Sequence, residues 1–348
     1  MRAYSSALAA LAVQAMTPVG AHHGPPTNEA LFLADELIEI EGELTEVLWR
    51  NPHVRAHVRV TGEDGRQVMW DLHLGPSPGA LASRGYSAED FLGEIRAAGY
   101  VSRRSPDSLG VVNLLLPNGQ EWVLGNQAMR WSGTGLAEPA PMDESRVTRA
   151  EQAAEGIFRV WGRRSGLGAH YRASVEAQAL TESGRALADA YDPVVDNLQL
   201  DCLQGMPDAM FDPSPLEIID HGAYIVIHIQ QMDAERIVHM GTEVPPAQPP
   251  FSSLGYSTGH WDGDELVVST SNIDWPYYAE IGTPQSTQAH YVERFSIADG
   301  GETLNYSIAI TDPLTFADPF TIEATRDWAP GVEIEPYNCA YEWAEPAD

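Results

Sequence analysis

The feature that most constrains this chain is the alternation of apolar and polar residues in short runs. The run "LIEIEGELTEVLW" alternates aliphatic with acidic side chains, and "HVRAHVRV", "AYIVIHIQQ", "QAHYVERFSI" and "TLNYSIAI" follow the same pattern. Because successive side chains of a β-strand point to opposite faces, a period of two predicts half-buried strands. Turns at Asp64-Gly65, Asp262-Gly263 and Asp299-Gly300 separate the runs, as is typical of hairpins. The sequence therefore predicts a mainly β protein.

The strands fall into two groups. The first, over residues 37–135, has about five strands and one short helical segment, "PGALASRG", which predicts a small closed barrel of the oligonucleotide-binding (OB) type. The second, over residues 196–348, has short intervals between its strands, which favours a larger antiparallel, lipocalin-like barrel over a parallel sheet.

A linker with helices is predicted between the two barrels, over residues 136–195. It begins with the Pro-rich, acidic stretch "LAEPAPMDESRV". A first helical pattern, "DESRVTRAEQAAEGIFRVW", follows with Asp143 or Ser145 as its cap and Ile157 and Phe158 at its packing end. A second helix starts at Thr181 and stops before Pro193.

The first 21 residues have the layout of an export signal: Arg2, the apolar run "ALAALAVQAM" and the small residues Val19-Gly20-Ala21. The apolar run is too short to span a bilayer, and no later run reaches the roughly 18 residues that a spanning helix needs. We therefore expect a periplasmic or secreted protein without a membrane span. Residues 25–36 are polar and Pro-rich, and residues 22–36 are predicted to form an N-terminal arm.

The charge balance argues against polyanionic partners. Fifty acidic residues against twenty basic ones give a net charge of −30. Such a field repels nucleic acid and anionic membrane surfaces, so neither is an expected partner. The excess is typical of a highly soluble protein, and binding of cations or basic partners is the alternative. The sequence leaves the oligomeric state open.

The chain has two cysteines, Cys202 and Cys339. In an exported protein two thiols usually pair, so we predict a disulfide between them. A CxxC motif is absent, and redox catalysis is therefore not expected.

Two histidines, His22 and His23, follow the predicted cleavage site. If cleavage follows Ala21, the free amine and Nδ1 of His22 can chelate one metal ion, and a further imidazole completes a copper site, because Cu(II) favours tetragonal nitrogen ligands. The alternative is a solvated terminus without a metal.

A third histidine ligand is sought in the first hairpin. A two-residue turn at Asp64-Gly65 places Asp71 and His73 on the core face of this hairpin, together with Val58. His73 beside Asp71 is then either a carboxylate-supported histidine or an ordinary core residue.

A carboxylate on an apolar face is the main anomaly of the last third of the chain. Glu293 shares its face with Tyr291 and Phe295, and a hairpin about Asp299-Gly300 places it opposite Tyr306. Burying a charge is costly unless it is paired. Either Tyr306 donates to Glu293 in a structural pair, together with an arginine from another strand, or Glu293 is an acid or base lining a ligand cavity. His228 is a candidate to line the same cavity.

The segment "GYSTGHWDGDELVVSTSNIDWPYYAEIG" is rich in aromatic residues. Aromatic side chains near a barrel mouth suit an apolar or sugar-like ligand, but they also suit plain packing. The predicted ligand-binding residues are Tyr256, Trp261, Trp275, Tyr278 and Tyr291.

Three functions follow from these patterns. The first is an exported protein that binds a small, apolar molecule in its C-terminal barrel. The second is an enzyme that uses Glu293 with Tyr306 and His228, and the third is a copper-binding protein that uses His22. The usual hydrolase, phosphate-loop, zinc-protease and dinucleotide motifs are absent from the sequence.

Two stretches resemble known families. "GELTEVLWRNPHVRAHVRV", followed by "GRQVMWDL", resembles a family of exported bacterial proteins classed as a domain of unknown function, over about residues 21–125, with Asn51-Pro52-His53 as its most specific part. Residues 180–341, with "SLGYSTGHWDGDELVV", "ERFS", "ITDPLTFADPF" and "YNCAYE", are similar to a recurrent exported β-domain. The resemblance implies export and a two-part architecture, and it brings no catalytic residues.

Overall fold

The strands form two separate sheets, one in each half of the chain, as the alternation of the sequence predicts. The computed structural model describes residues 31–125, 127–162, 164, 166–241, 249–279, 282–298 and 300–340. A six-stranded sheet lies in the N-terminal part and a nine-stranded sheet in the C-terminal part. The strands of the first sheet are β1 (Phe32–Leu48), β2 (Arg55–Thr61), β3 (Gln67–His73), β4 (Gly93–Ser102), β5 (Ser108–Leu115) and β6 (Glu121–Val123). The strands of the second sheet are β7 (Val160–Trp161), β8 (Leu216–Asp220), β9 (Tyr224–Ile229), β10 (Ala234–Met240), β11 (Tyr256–Asp262), β12 (Glu265–Ser271), β13 (His290–Ile297), β14 (Thr303–Thr311) and β15 (Phe320–Asp327).

The first sheet closes on itself. Its order is β3-β2-β1-β4-β5-β6, and β3 also pairs with β5 in parallel, with Leu72 opposite Leu109. Strands β1, β2, β3, β5 and β4 therefore form a ring, and the helix α1 (Pro78–Ala82) lies between β3 and β4. This strand order and closure are those of an OB-type barrel, so the prediction for the N-terminal half is confirmed.

The long strand β1 pairs with β2 along one edge and with β4 along the other. Glu43 lies opposite Arg59 of β2 and opposite Glu94 of β4. A Cβ atom at Gly42 would lie 2.4 Å from the carbonyl oxygen of Arg59, so only glycine permits this close approach. β1 begins at Phe32, inside the segment 22–36 for which we predicted an arm.

The hairpin of β2 and β3 differs from the prediction by one residue of register. Thr61 pairs with Gln67, and the N–H of Gly62 donates to the carbonyl of Arg66 at 2.8 Å, so the turn is longer than Asp64-Gly65. A one-residue shift moves every side chain of a strand to the other face. Asp71 and His73 therefore lie on the outer face, and the prediction that they face the core is wrong.

The second sheet forms a nearly closed barrel. Its order runs from β15 through β14, β13, β12, β11, β10, β9 and β8 to β7, and only β10 and β11 among these neighbours are parallel. An isolated bridge joins Trp161 of β7 to Trp328 just after β15, and the N–H of Gly162 donates to the carbonyl of Asp327 at 2.7 Å. We call this junction the seam. β7 lies inside residues 136–195, for which the sequence indicated only a helical linker.

Three helices precede or cover the barrel. α2 (Glu144–Ala153) starts at the predicted cap, since the carboxylate of Asp143 accepts from the N–H of Ser145 at 2.7 Å. α4 (Glu182–Ala188) is capped by Thr181, which accepts from the N–H of Gly184 at 2.9 Å. α3 (Leu167–Glu176) was not predicted, because Gly166 at its N-cap and Gly168 in its first turn weaken the helical pattern. Within the described residues, no helix has the length and apolar character needed to cross a bilayer.

The C-terminal segment ties the two barrels together. Cys202 and Cys339 form a disulfide between positions 137 residues apart, as predicted. The side-chain amide of Asn51 donates to the carbonyl of Tyr337, and the N–H of Ala340 donates to the carbonyl of Asn51 at 2.9 Å. Asn51, the first residue of the Asn-Pro-His motif, therefore contacts a strand-like segment that the disulfide holds in place.

Candidate ligand-binding site

The predicted inward-facing carboxylate is present in the second barrel. Glu293 is 0 % exposed, and the hydroxyl of Tyr306 donates to its Oε1 at 2.8 Å. The register differs from the predicted one by two residues, because Glu293 lies opposite Ile308 and Tyr306 lies opposite Phe295. A shift of two residues keeps every side chain on its predicted face, so the pair still meets.

Arg236 of β10 provides the counter-charge for Glu293. Its Nη1 donates to Glu293 Oε1 at 2.9 Å, and its Nη2 donates to Oε2. The hydroxyl of Thr270 also donates to Oε2, at 3.1 Å, while Ser257 accepts from Arg236 Nε at 3.1 Å. We call Arg236 and Glu293 the buried pair. One interpretation of the sequence was a structural pair of Glu293 and Tyr306 with an arginine from another strand, and Arg236 is that arginine.

The hydrogen bonds of the buried pair leave little capacity for chemistry. Glu293 accepts four of them, which matches the number of lone-pair sites on a carboxylate. Burial and the charge of Glu293 raise the pKa of Tyr306 well above its usual value, so its hydroxyl stays protonated. Burial alone would lower the pKa of Arg236, but the neighbouring Glu293 charge outweighs it and raises that pKa. Catalysis by Glu293 and Tyr306 stays a prediction.

His228 does not join this group. Strand β9 buries Ile227 and Ile229 on the inner face, so His228 lies on the outer face. Its neighbours across the sheet are Glu217 of β8 and Glu235 of β10. The expectation that His228 lines a common cavity with Glu293 is therefore wrong.

Three of the five predicted aromatic residues are packed in the core. Tyr278 and Tyr291 are fully buried with ring centroids 6.4 Å apart, and Trp275 is also buried. The Tyr278 hydroxyl donates to Asp312 Oδ2 at 3.1 Å. Burial raises the pKa of both tyrosines well above the usual value, so both remain neutral. These three side chains are therefore members of the hydrophobic core.

The other two predicted aromatic residues lie apart from this core. Tyr256 is half-buried and stacks on His239 with ring centroids 4.8 Å apart. Trp261 is 44 % exposed and meets the ring of Phe158 edge to face, with centroids 6.0 Å apart.

Phe158 belongs to a cleft along the seam. The cleft has a volume of about 390 Å³ and lies between α2, the strands β7 and β8, and the segment after β15. We call it the seam cleft. Its wall includes Ala153, Phe158, Arg159, Ile219, Trp328 and Val332.

Arg159 is held between two indole rings of the seam. Its guanidinium carbon lies 4.7 Å from the ring centre of Trp328 and 5.4 Å from that of Trp161. Nε donates to the carbonyl of Gly156 at 2.8 Å, and Nη1 donates to that of Gly301 at 3.0 Å. Burial lowers the pKa of Arg159, but an arginine remains charged in proteins. The side chain thereby braces the base of the cleft.

Carboxylates complete the wall of the seam cleft. Glu155, Glu217 and Asp220 line it beside Arg159, which supplies the only guanidinium among the described residues of the wall. The sequence signal for this site was the run "IFRVW", which places aromatic residues around an arginine. We assigned that run to the end of a helix, and the cleft was missed because its other walls come from distant parts of the chain.

The copper prediction cannot be placed, since His22 and His23 lie outside the described residues. On the outer face of the first barrel, His73 Nε2 lies 3.3 Å from Asp71 Oδ2, and Arg55 Nε donates to Asp71 Oδ1 at 3.3 Å. Burial would raise the pKa of Asp71, but His73 and Arg55 together hold it well below its usual range. In the part of the chain that the structure describes, no three ligating side chains lie close enough to bind one metal ion.

Comparison with known proteins gives one match. The model of a family of unknown function, DUF6152, matches residues 7–104. These residues include β1 to β3, the Asn-Pro-His motif and β4. Neither a curated protein nor a solved structure matches the chain.

Proposed function

We propose that this is an exported protein that binds a small, predominantly apolar molecule in the seam cleft of its C-terminal barrel. The observation that carries the proposal is the cleft itself. Its volume of about 390 Å³ falls within the range of small-molecule sites, and aromatic and aliphatic side chains form most of its wall. Trp261, predicted from the sequence as a ligand-binding residue, contacts Phe158 in that wall.

The charges around the cleft define the class of ligand. Three carboxylates line the part of the cleft that the structure describes, whereas the guanidinium of Arg159 is already engaged by two carbonyl oxygens and two indole rings. The whole chain carries a net charge of −30. An anionic ligand is therefore disfavoured, and a neutral or cationic molecule with an apolar body fits best.

Export is the second part of the proposal. The Cys202–Cys339 disulfide supports it, because such bonds persist in oxidising compartments. The predicted signal lies outside the described residues. Cell fractionation followed by N-terminal sequencing tests it, and we expect a mature chain that begins at His22. A cytoplasmic chain that retains Met1 would contradict export.

Ligand binding is tested with N-phenyl-1-naphthylamine, a neutral apolar fluorophore. We expect its fluorescence to rise saturably with the wild-type protein. Ala153→Trp places an indole in the cleft and should weaken binding by about tenfold or more. Gln152→Trp is the matched control, since Gln152 is the preceding exposed residue of α2 and is not part of the cleft wall.

The outcome separates the seam cleft from other apolar surfaces. Equal affinity in the wild type, Ala153→Trp and Gln152→Trp would place the fluorophore elsewhere and overturn the proposed site. A saturable signal that only Ala153→Trp removes supports it.

The enzyme and copper alternatives stay predictions of the sequence. Calorimetry on chain that begins at His22 tests the copper site, and an added residue before His22 should abolish a chelate. The similarity of the second barrel to a recurrent exported β-domain likewise stays a prediction, because the family match ends at residue 104.

A further inference from the structure

We propose a second binding site, formed by Gln204 and Gln285 beside Trp275, which takes a small neutral molecule bearing a primary amide or urea group. This site is independent of the seam cleft, whose wall includes none of these residues. It rests on two buried side-chain amides and on the chain segments that fix them.

Gln204 directly precedes a glycine that packs against the indole of Trp275. The next residue, Gly205, lies so close that a Cβ atom there would be 2.2 Å from Trp275 Cγ. The N–H of Met206 donates to the carbonyl of Ser253 at 2.9 Å. The segment that carries Gln204 therefore has little freedom to move away from the ring.

Gln285 is fixed to the residue that follows Trp275. Its N–H donates to the carbonyl of Pro276 at 2.7 Å. The N–H of Tyr278 donates to the carbonyl of Thr283 at 2.8 Å, which closes the same loop. The backbone is therefore fixed at both glutamines. The residue after Gln204 packs against Trp275, and Gln285 itself is hydrogen-bonded to Pro276.

Among the described residues, neither side-chain amide has a hydrogen-bond partner. Gln204 is 6 % exposed and Gln285 is 8 % exposed, yet the oxygen and the nitrogen of both amides are unpaired. Leaving a buried polar group unpaired is unfavourable, and the great majority of such groups in folded proteins are paired. Two complete amides without partners in one region indicate that a polar molecule pairs with them.

The chemistry of the two glutamines defines that molecule. Each offers an NH₂ donor and a carbonyl acceptor without a formal charge. The complementary group carries a donor and an acceptor side by side, as a primary amide or a urea does. The indole of Trp275 supplies an apolar surface against which the rest of a small ligand can pack.

NMR spectroscopy with propionamide as the probe tests this site. The side-chain NH₂ signals of the two glutamines are assigned from the variants Gln204→Met and Gln285→Met, which keep the length of the side chain. We expect propionamide to shift both signals saturably. Each variant should weaken binding by about fivefold or more, because one pair of hydrogen bonds is lost.

Two controls accompany the titration. Gln152→Met, on the exposed surface of α2, should leave the affinity unchanged. N,N-dimethylpropionamide keeps the carbonyl but lacks the donors, and it should bind at least several-fold more weakly than propionamide.

Three results would overturn the proposal. These are the absence of saturable shifts, equal binding of the two probes, and a crystal structure soaked in propionamide that shows ordered water only at the glutamines. If a methionine variant does not fold, the wild-type titration with the two probes decides alone.

Discussion

Each barrel has one buried glutamate among its described residues, and the two barrels stabilise its charge in different ways. In the OB-type barrel, Glu121 is 1 % exposed and accepts hydrogen bonds from the backbone N–H groups of Arg130, Trp131 and Ser132, at 2.7 to 2.9 Å. In the second barrel, Glu293 forms a salt bridge with the positively charged Arg236.

The difference lies in how far along the chain the compensating groups are. The donors to Glu121 come from positions nine to eleven residues later, so a local turn supplies them. Arg236 is 57 residues from Glu293 and reaches it only when the strands β10 to β13 have assembled. The buried pair thus depends on the tertiary structure, whereas the surroundings of Glu121 form locally.

The largest effect is expected from Glu293→Gln. This change leaves Arg236 buried without a counter-charge, which typically costs about 3–5 kcal/mol of unfolding free energy. Urea unfolding measures it. Glu265→Gln is the matched control, because it breaks the neighbouring but more exposed pair with Arg294 and should cost about 1 kcal/mol or less. Similar losses in the two variants would contradict the assigned role of the buried pair.

A smaller effect is expected from Glu121→Gln. The amide keeps one oxygen but turns an NH₂ group toward backbone donors, so at least one buried N–H loses its acceptor. We expect a loss of about 1–3 kcal/mol by urea unfolding. A loss larger than that of Glu293→Gln would reverse the comparison between local and long-range compensation.

Tyr306→Phe tests the hydroxyl that supports the buried pair. It removes one of four hydrogen bonds to Glu293 while the ring contacts with Phe211 and Phe295 remain. A loss of about 1 kcal/mol is expected from thermal or urea unfolding. A loss as large as that of Glu293→Gln would mean that Tyr306, and not Arg236, is the principal partner.

The smallest effect concerns pH. Burial alone would raise the pKa of Glu121, but the backbone and Asn113 hydrogen bonds outweigh it and lower that pKa in the folded state. A lowered folded-state pKa adds stability above the unfolded-state pKa, and this is lost as pH falls through the folded value. The stability difference between the wild type and Glu121→Gln should therefore shrink below about pH 4.5, the ordinary pKa of a glutamate. A difference that grows on acidification would contradict this sign.

The sequence predicted which face of a strand a side chain lies on more accurately than it predicted the residue opposite it. Alternation placed Glu293 and Tyr306 inside the second barrel, although the pairing across β13 and β14 was shifted by two residues. In the β2–β3 hairpin a longer turn reversed the faces, since turn length and not the strand pattern sets the register there.

Arg236 was missed although a signal for it exists. In "AERIVHM" the arginine shares its face with Val238, so a charged residue stands on an apolar face just as Glu293 does. For the seam cleft, the run "IFRVW" was a signal for one wall only. Its walls come from residues 150–160, 217–220 and 328–332, and these meet only when the barrel closes.

The central claim is that the charges inside the second barrel hold its strands together and that ligand chemistry lies elsewhere. A double-mutant cycle with Arg236→Met, Glu293→Leu and the combined variant measures this most directly by urea unfolding. The account predicts that the double variant loses less stability than the sum of the single variants, by about 3 kcal/mol, because removing both partners leaves no unpaired charge. Strictly additive losses would contradict it, since they would show that Arg236 and Glu293 act independently.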